Sequence, residues 1–120
     1  MKFAGWYGIV VGLLMLGMWS FFLANGQVPE LQTEPIRIYF HLAAEFTTAI
    51  GLLFGGLVLL RKLAWSRSFY FLPAGMALYS LVVSPGYYAQ QGQWGFVVMF
   101  AILIVLTLVS VIQVARSKSV

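Results

Sequence analysis

The chain has 120 residues, of which 62% are hydrophobic and 8% charged, with a formal net charge of +4 and no cysteine. Soluble domains keep roughly a quarter of their residues charged, so a chain with a mean hydropathy of +0.93 needs lipid to cover it. The missing cysteines exclude disulfides, thiolate metal centres, iron–sulfur clusters and thiol catalysis. The single histidine, His41, excludes sites built on several imidazoles, paired haem ligands among them. The basic residues fall at helix ends rather than along one face, which points to membrane orientation and away from nucleic acid.

A helix needs about 20 mostly apolar residues to cross a hydrocarbon core of about 30 Å. The first such stretch runs from Phe3 to Ala24 without a charge. It exceeds the roughly 7–15 residues of a signal-peptide core, and Phe22-Leu23-Ala24 lacks the small-x-small cleavage pattern, so we expect an uncleaved anchor. Gly5, Gly8 and Gly12 lie within about 60° of one another on its helical wheel and form a close-packing stripe. In the loop from Asn25 to Pro35, Thr33 is the expected cap of the next helix, with Pro35 in its first turn and Glu34 favourable at its positive end.

The second stretch runs from Ile36 to Leu60, and it carries the one constellation that suggests chemistry. Arg37, His41 and Glu45 recur every four residues and point at about 0°, 40° and 80°, with Thr48 at about 20° one turn deeper. Gly51 and Gly55, at about −40° and 0°, continue the stripe, so polar and close-packing faces coincide and the polar groups should face the bundle interior. Glu45 would lie about 5–10 Å inside the hydrocarbon, where an ionised carboxylate must pair, bind a cation or hold a proton. Its expected countercharge is Arg37, with His41 as a pH-sensitive partner. One imidazole and one carboxylate are too few ligands for a metal, so none is expected.

The third stretch, Phe69 to Tyr88, is interrupted at Ser84-Pro85-Gly86. From Phe69 to Ser84 a helix covers only about 24 Å, so the chain is expected to change direction there, near Tyr87, Tyr88 and Gln91. A shortened, Pro/Gly-interrupted span is a pointer to a binding site. The fourth stretch, Trp94 to Ala115, has only Ala101 and Ser110 as small positions in its middle, so its broad apolar surface should meet lipid or a partner protein.

The expected fold is therefore all-α: one domain over residues 1–120, an antiparallel bundle of four transmembrane helices. Lys2, Arg61, Lys62, Arg67, Arg116 and Lys118 fall on one side and Arg37 alone on the other, which predicts both termini in the cytoplasm. Compactness and this charge bias favour the plasma (inner) membrane of a prokaryote. Trp6, Tyr7, Trp65 and Tyr70 are expected in the inner aromatic belt, and Trp19, Tyr39, Tyr88 and Trp94 in the outer one.

No nucleotide-binding loop, nucleophile elbow or zinc-protease motif is present, and aspartate is absent, so no catalytic residue and no cofactor is expected. Two functions lead, with a membrane enzyme acting on lipid a distant third. The chain binds, and as a transporter would carry, a small ligand or ion in an outer-leaflet pocket. That pocket would be built from Arg37, His41, Glu45 and Thr48, with Tyr87, Tyr88 and Gln91 opposite. Alternatively it is an accessory or assembly subunit whose fourth helix packs against a larger membrane complex, the polar stripe locking an interface. The expected partners are the lipid bilayer and either such a complex or further copies in a homo-oligomer.

Overall fold

The computed structural model describes residues 2–117, so the expectation for Lys118 lies outside the described residues. The chain forms α1 (Lys2–Ala24), α2 (Glu30–Thr33), α3 (Pro35–Leu60), α4 (Ser66–Val83), α5 (Pro85–Gln90) and α6 (Trp94–Arg116). No strand occurs among the described residues. α1, α3, α6 and the continuous stretch of α4 and α5 are long and apolar enough to cross a membrane. Packed side by side they make an elongated body of 48 × 25 × 19 Å.

Contacts along the helices show the antiparallel order. Gly5 of α1 sits beside Leu60 and Gly12 beside Ala49 of α3; Gly51 of α3 meets Pro73 and Gly55 meets Phe69 of α4. The start of α1 and the start of α4 both meet the last turns of α6. One end of the bundle, the termini end, thus carries residues 61–65 and both helix termini, and the other, the loop end, carries residues 25–34 and 91–93.

α1 and α3 approach most closely, because α1 offers glycine where α3 offers backbone. A methyl group on Gly12 would stand 2.6 Å from the Ala49 carbonyl, and one on Gly8 2.7 Å from that of Leu52. In lipid, where burying leucine gains little, such backbone contact is what associates helices. The expected glycine stripe of α3 divides between two neighbours: Gly56 faces α1, whereas Gly51 receives the ring of Pro73 from α4. Pro73 is buried inside α4, where its ring fills the space the missing Gly51 side chain leaves.

α6 is held differently. Only Thr107, Ser110 and Val114 of α6 are buried, on one face, and polar bonds reach them from two helices. The Tyr7 hydroxyl of α1 lies 2.6 Å from Thr107 Oγ1 and donates to the Leu103 carbonyl at 3.1 Å. The Tyr70 hydroxyl of α4 donates to Ser110 Oγ at 2.8 Å. The Ala4 amide donates to Gln113 Oε1 at 2.9 Å, and Arg67 donates to the Val114 and Ala115 carbonyls. Tyr7 and Tyr70 therefore leave the aromatic belt expected of them. Both are buried in the bundle, because the rotation of α1 and α4 turns them onto the hydroxyl face of α6.

Two further expectations are corrected. Pro85 does not cut the third span short: Ser84 has helical angles (φ −62°, ψ −37°) and α5 continues for six residues beyond it. Pro85 takes the first-turn position of α5, where its fixed φ suits a helix. Its missing N–H removes the bond to the Leu81 carbonyl, and the Tyr87 N–H turns to the Ser84 carbonyl at 3.2 Å, so the ladder breaks at Ser84 before α5 resumes it. The cap of α3 is Glu34 and not Thr33, which ends the short α2; Pro35 takes the expected first-turn position.

Candidate functional site

Glu45 is the one acidic side chain inside the bundle, 6% exposed, eleven residues into α3. Its neighbours come from two helices. Ser80 Oγ of α4 donates to Glu45 Oε1 at 2.7 Å, and His41 Nε2, one turn nearer the loop end, stands 3.6 Å from the same oxygen. A third helix contributes to the surroundings, since the rings of Trp19 of α1 and His41 meet at 74°, centroids 5.7 Å apart. The His41 side chain is 44% exposed, so the buried carboxylate opens toward the loop end through an imidazole.

Local sequence explains why these groups meet. His41 and Glu45 share a helix face four residues apart. Ser80 follows from the register of the α3–α4 hairpin: Glu45 precedes Leu63 by 18 residues and Ser80 follows Lys62 by 18. The Gly51–Pro73 contact locks that register a few turns away. Ser80 was missed by wheel geometry, which reads one helix at a time; counting outward from the Arg61-Lys62 turn would have found it.

The remaining expected site residues separate. Thr48 is buried on the same side but donates its hydroxyl to the Ala44 carbonyl at 2.8 Å. Arg37 is not the countercharge of Glu45. Its Nη1 bonds Glu34 Oε2 at 3.0 Å, and its side chain is 79% exposed. The long arginine side chain takes the nearer acid, which the α2–α3 turn places one helical turn away in solvent. Tyr87, Tyr88 and Gln91 lie about two turns or more beyond Ser80, and none bonds Glu45 or His41. Tyr88 turns to α6, stacking on Phe96 and Phe100 with centroids 4.6 and 5.8 Å away, while Tyr87 and Gln91 are exposed.

No Lys or Arg among the described residues pairs with Glu45, and no group of three or more metal-ligating side chains occurs among them. The arrangement is a carboxylate with a hydroxyl donor on one oxygen, an imidazole at the mouth and a free second oxygen. Such a set can exchange a proton, or hold a small cation against one carboxylate charge.

The chain belongs to a family described as a domain of unknown function, DUF8058, whose model matches residues 1–119. No curated protein matches the chain, and no solved structure does.

Proposed function

We propose that this is a multi-pass membrane protein that binds a proton or small cation at Glu45 from the outer face and transports it across the membrane. The observation that supports this reading is the burial of Glu45 without a permanent positive partner. The 26 residues of α3 make a helix about 39 Å long, so a centred hydrocarbon core of about 30 Å places Glu45 about 10 Å beneath its surface. An ionised carboxylate at that depth costs several kcal/mol unless compensated. Ser80 supplies one hydrogen bond, and His41 supplies charge only when protonated. With Arg37 held by Glu34, the compensating charge has to arrive from outside, as a proton or cation.

Orientation follows from charge. Lys2, Arg61, Lys62, Arg67 and Arg116 lie at the termini end and Arg37 at the loop end, so the termini face the cytoplasm and His41 the outside. A prokaryotic plasma membrane is the setting this bias fits. The test is uptake into proteoliposomes loaded with a pH-sensitive dye, under an imposed potential and with single alkali cations. We expect uptake with the native chain and none with Glu45→Gln; native protein no faster than protein-free vesicles overturns the reading.

A second reading, an accessory subunit, is favoured by α6. None of its residues from Trp94 to Leu106 is buried, and a shallow apolar groove runs along Val98, Ala101, Ile102, Val105 and Leu106. Co-purification of a stoichiometric partner lost on substituting Ala101 and Ile102 by Trp would favour it.

A further inference from the structure

Three helices of this chain end in the same backbone device, and one of them uses the wrong residue for it. After α1, the Gly26 N–H bonds the Leu23 carbonyl and the Gln27 N–H the Phe22 carbonyl; after α5, Gly92 and Gln93 bond Ala89 and Tyr88 in the same pattern. In both, the residue after the cap is a glycine with left-handed φ, +66° at Gly26 and +73° at Gly92. After α3 the same pair of bonds forms, from Lys62 to Leu59 at 3.1 Å and from Leu63 to Val58 at 3.3 Å. The left-handed position there, φ +56°, is occupied by Lys62, the one non-glycine residue with positive φ among the described residues. A side chain with a Cβ is strained in that region and glycine is not. The chain uses glycine twice and lysine once, and a strained residue in an exposed turn is a reason to look for a ligand.

The surroundings say what kind. Arg61 stands next to it in the turn, and Lys2 lies one turn from Gly5, which packs on Leu60. Lys2, Arg61 and Lys62 are all exposed, and none has an ion pair among the described residues. No acidic side chain stands at the termini end among the described residues: Glu30 and Glu34 are at the loop end and Glu45 is buried in that half. Three residues beyond Lys62, half-exposed Trp65 stacks on Phe54 with centroids 5.9 Å apart, an aromatic at the level where indoles meet lipid headgroups. Adjacent cations without acids, beside an interfacial tryptophan, complement a negatively charged headgroup.

We propose that the Arg61-Lys62 turn, with Lys2 beside it, binds the phosphate of an anionic phospholipid in the leaflet at the termini end. Lys62 holds the left-handed position of this turn with its side chain exposed, so its ammonium is free to meet a headgroup. This rests on the chain spanning a membrane and is independent of the Glu45 site. The test is thermal unfolding in phosphatidylcholine nanodiscs containing increasing fractions of phosphatidylglycerol. For the native chain the midpoint should rise and saturate. Lys62→Gly should unfold a few degrees higher than native in pure phosphatidylcholine, since strain is relieved, so failure to fold is not a concern. The same variant should need about fivefold more phosphatidylglycerol for half its effect. Arg116→Gln, which removes an equal charge at the same end, should shift that requirement by less than about twofold, and Glu45→Gln should not shift it. Equal shifts for Lys62→Gly and Arg116→Gln would show diffuse attraction and overturn the proposal. Stabilisation in pure phosphatidylcholine by inorganic phosphate alone would overturn the lipid as occupant.

Discussion

Glu45→Gln distinguishes a binding carboxylate from a structural lock, because the two roles predict thermal shifts of different size and sign. Glutamine keeps the shape and an oxygen that accepts the Ser80 hydroxyl, now at 2.7 Å from Glu45 Oε1. A hydrogen bond to a charged acceptor contributes about 1.5–3 kcal/mol and one to a neutral acceptor about 0.5–1.5, so the exchange loses roughly 1–1.5 kcal/mol. Against this stands the desolvation of an ionised carboxylate among packed helices, several kcal/mol, which glutamine does not incur. His41 is 44% exposed, so losing a charged partner does not leave its imidazole buried. The sum is near zero or stabilising. With about 4 °C per kcal/mol for a chain of this size, the midpoint should stay within about 4 °C of native or rise. If Glu45 instead locks helices through an obligatory ion pair, breaking it costs about 3–5 kcal/mol, a fall of more than about 10 °C. Differential scanning fluorimetry in detergent reads this from the four tryptophans. A fall of that size refutes the binding role, as does native-like ion uptake by the folded variant.

Ser80→Ala removes a charge-assisted bond that crosses the α3–α4 interface, and should lower the midpoint by roughly 6–12 °C while slowing uptake without abolishing it. An unchanged midpoint would show that Ser80 bonds Glu45 too weakly to position it. Arg37→Gln breaks only a solvent-exposed pair with Glu34, worth at most about 1 kcal/mol, so uptake should be unchanged and the midpoint should move by less than about 4 °C. Lost uptake there would mean that Arg37 serves Glu45 after all. Gly12→Val drives a branched side chain into the Ala49 carbonyl, 2.6 Å from where its Cβ must lie, and should cost about 3 kcal/mol or more by separating α1 from α3. Unfolding in graded denaturing detergent measures it, and native resistance would disprove the close approach.

The four long helices were legible residue by residue, since length and apolarity are properties of a segment and need no partner. So was the inward direction of Glu45 and Thr48, because a single helical wheel decides which residues share a face. Pro85 misled because proline disrupts a helix only where its φ or its missing N–H conflicts with the neighbouring turns, and helical angles at Ser84 remove the first conflict. Arg37 misled because a flexible side chain chooses among acids by distance, and the α2–α3 turn brings Glu34 nearer than Glu45.

By itself, then, the amino-acid order established how many apolar helices form, roughly where each starts and stops, and which carboxyl group is turned into the bundle. Tertiary structure alone decided what that carboxyl meets. Its partner Ser80 depends on the register of α3 against α4, set by the Lys62 turn and the Gly51–Pro73 contact. The buried places of Tyr7 and Tyr70 depend likewise on how α1 and α4 are rotated against α6. Hydropathy is summed along one segment, whereas register and rotation are settled by backbone contacts between segments, and a difference of one residue in either would give every polar group a different neighbour.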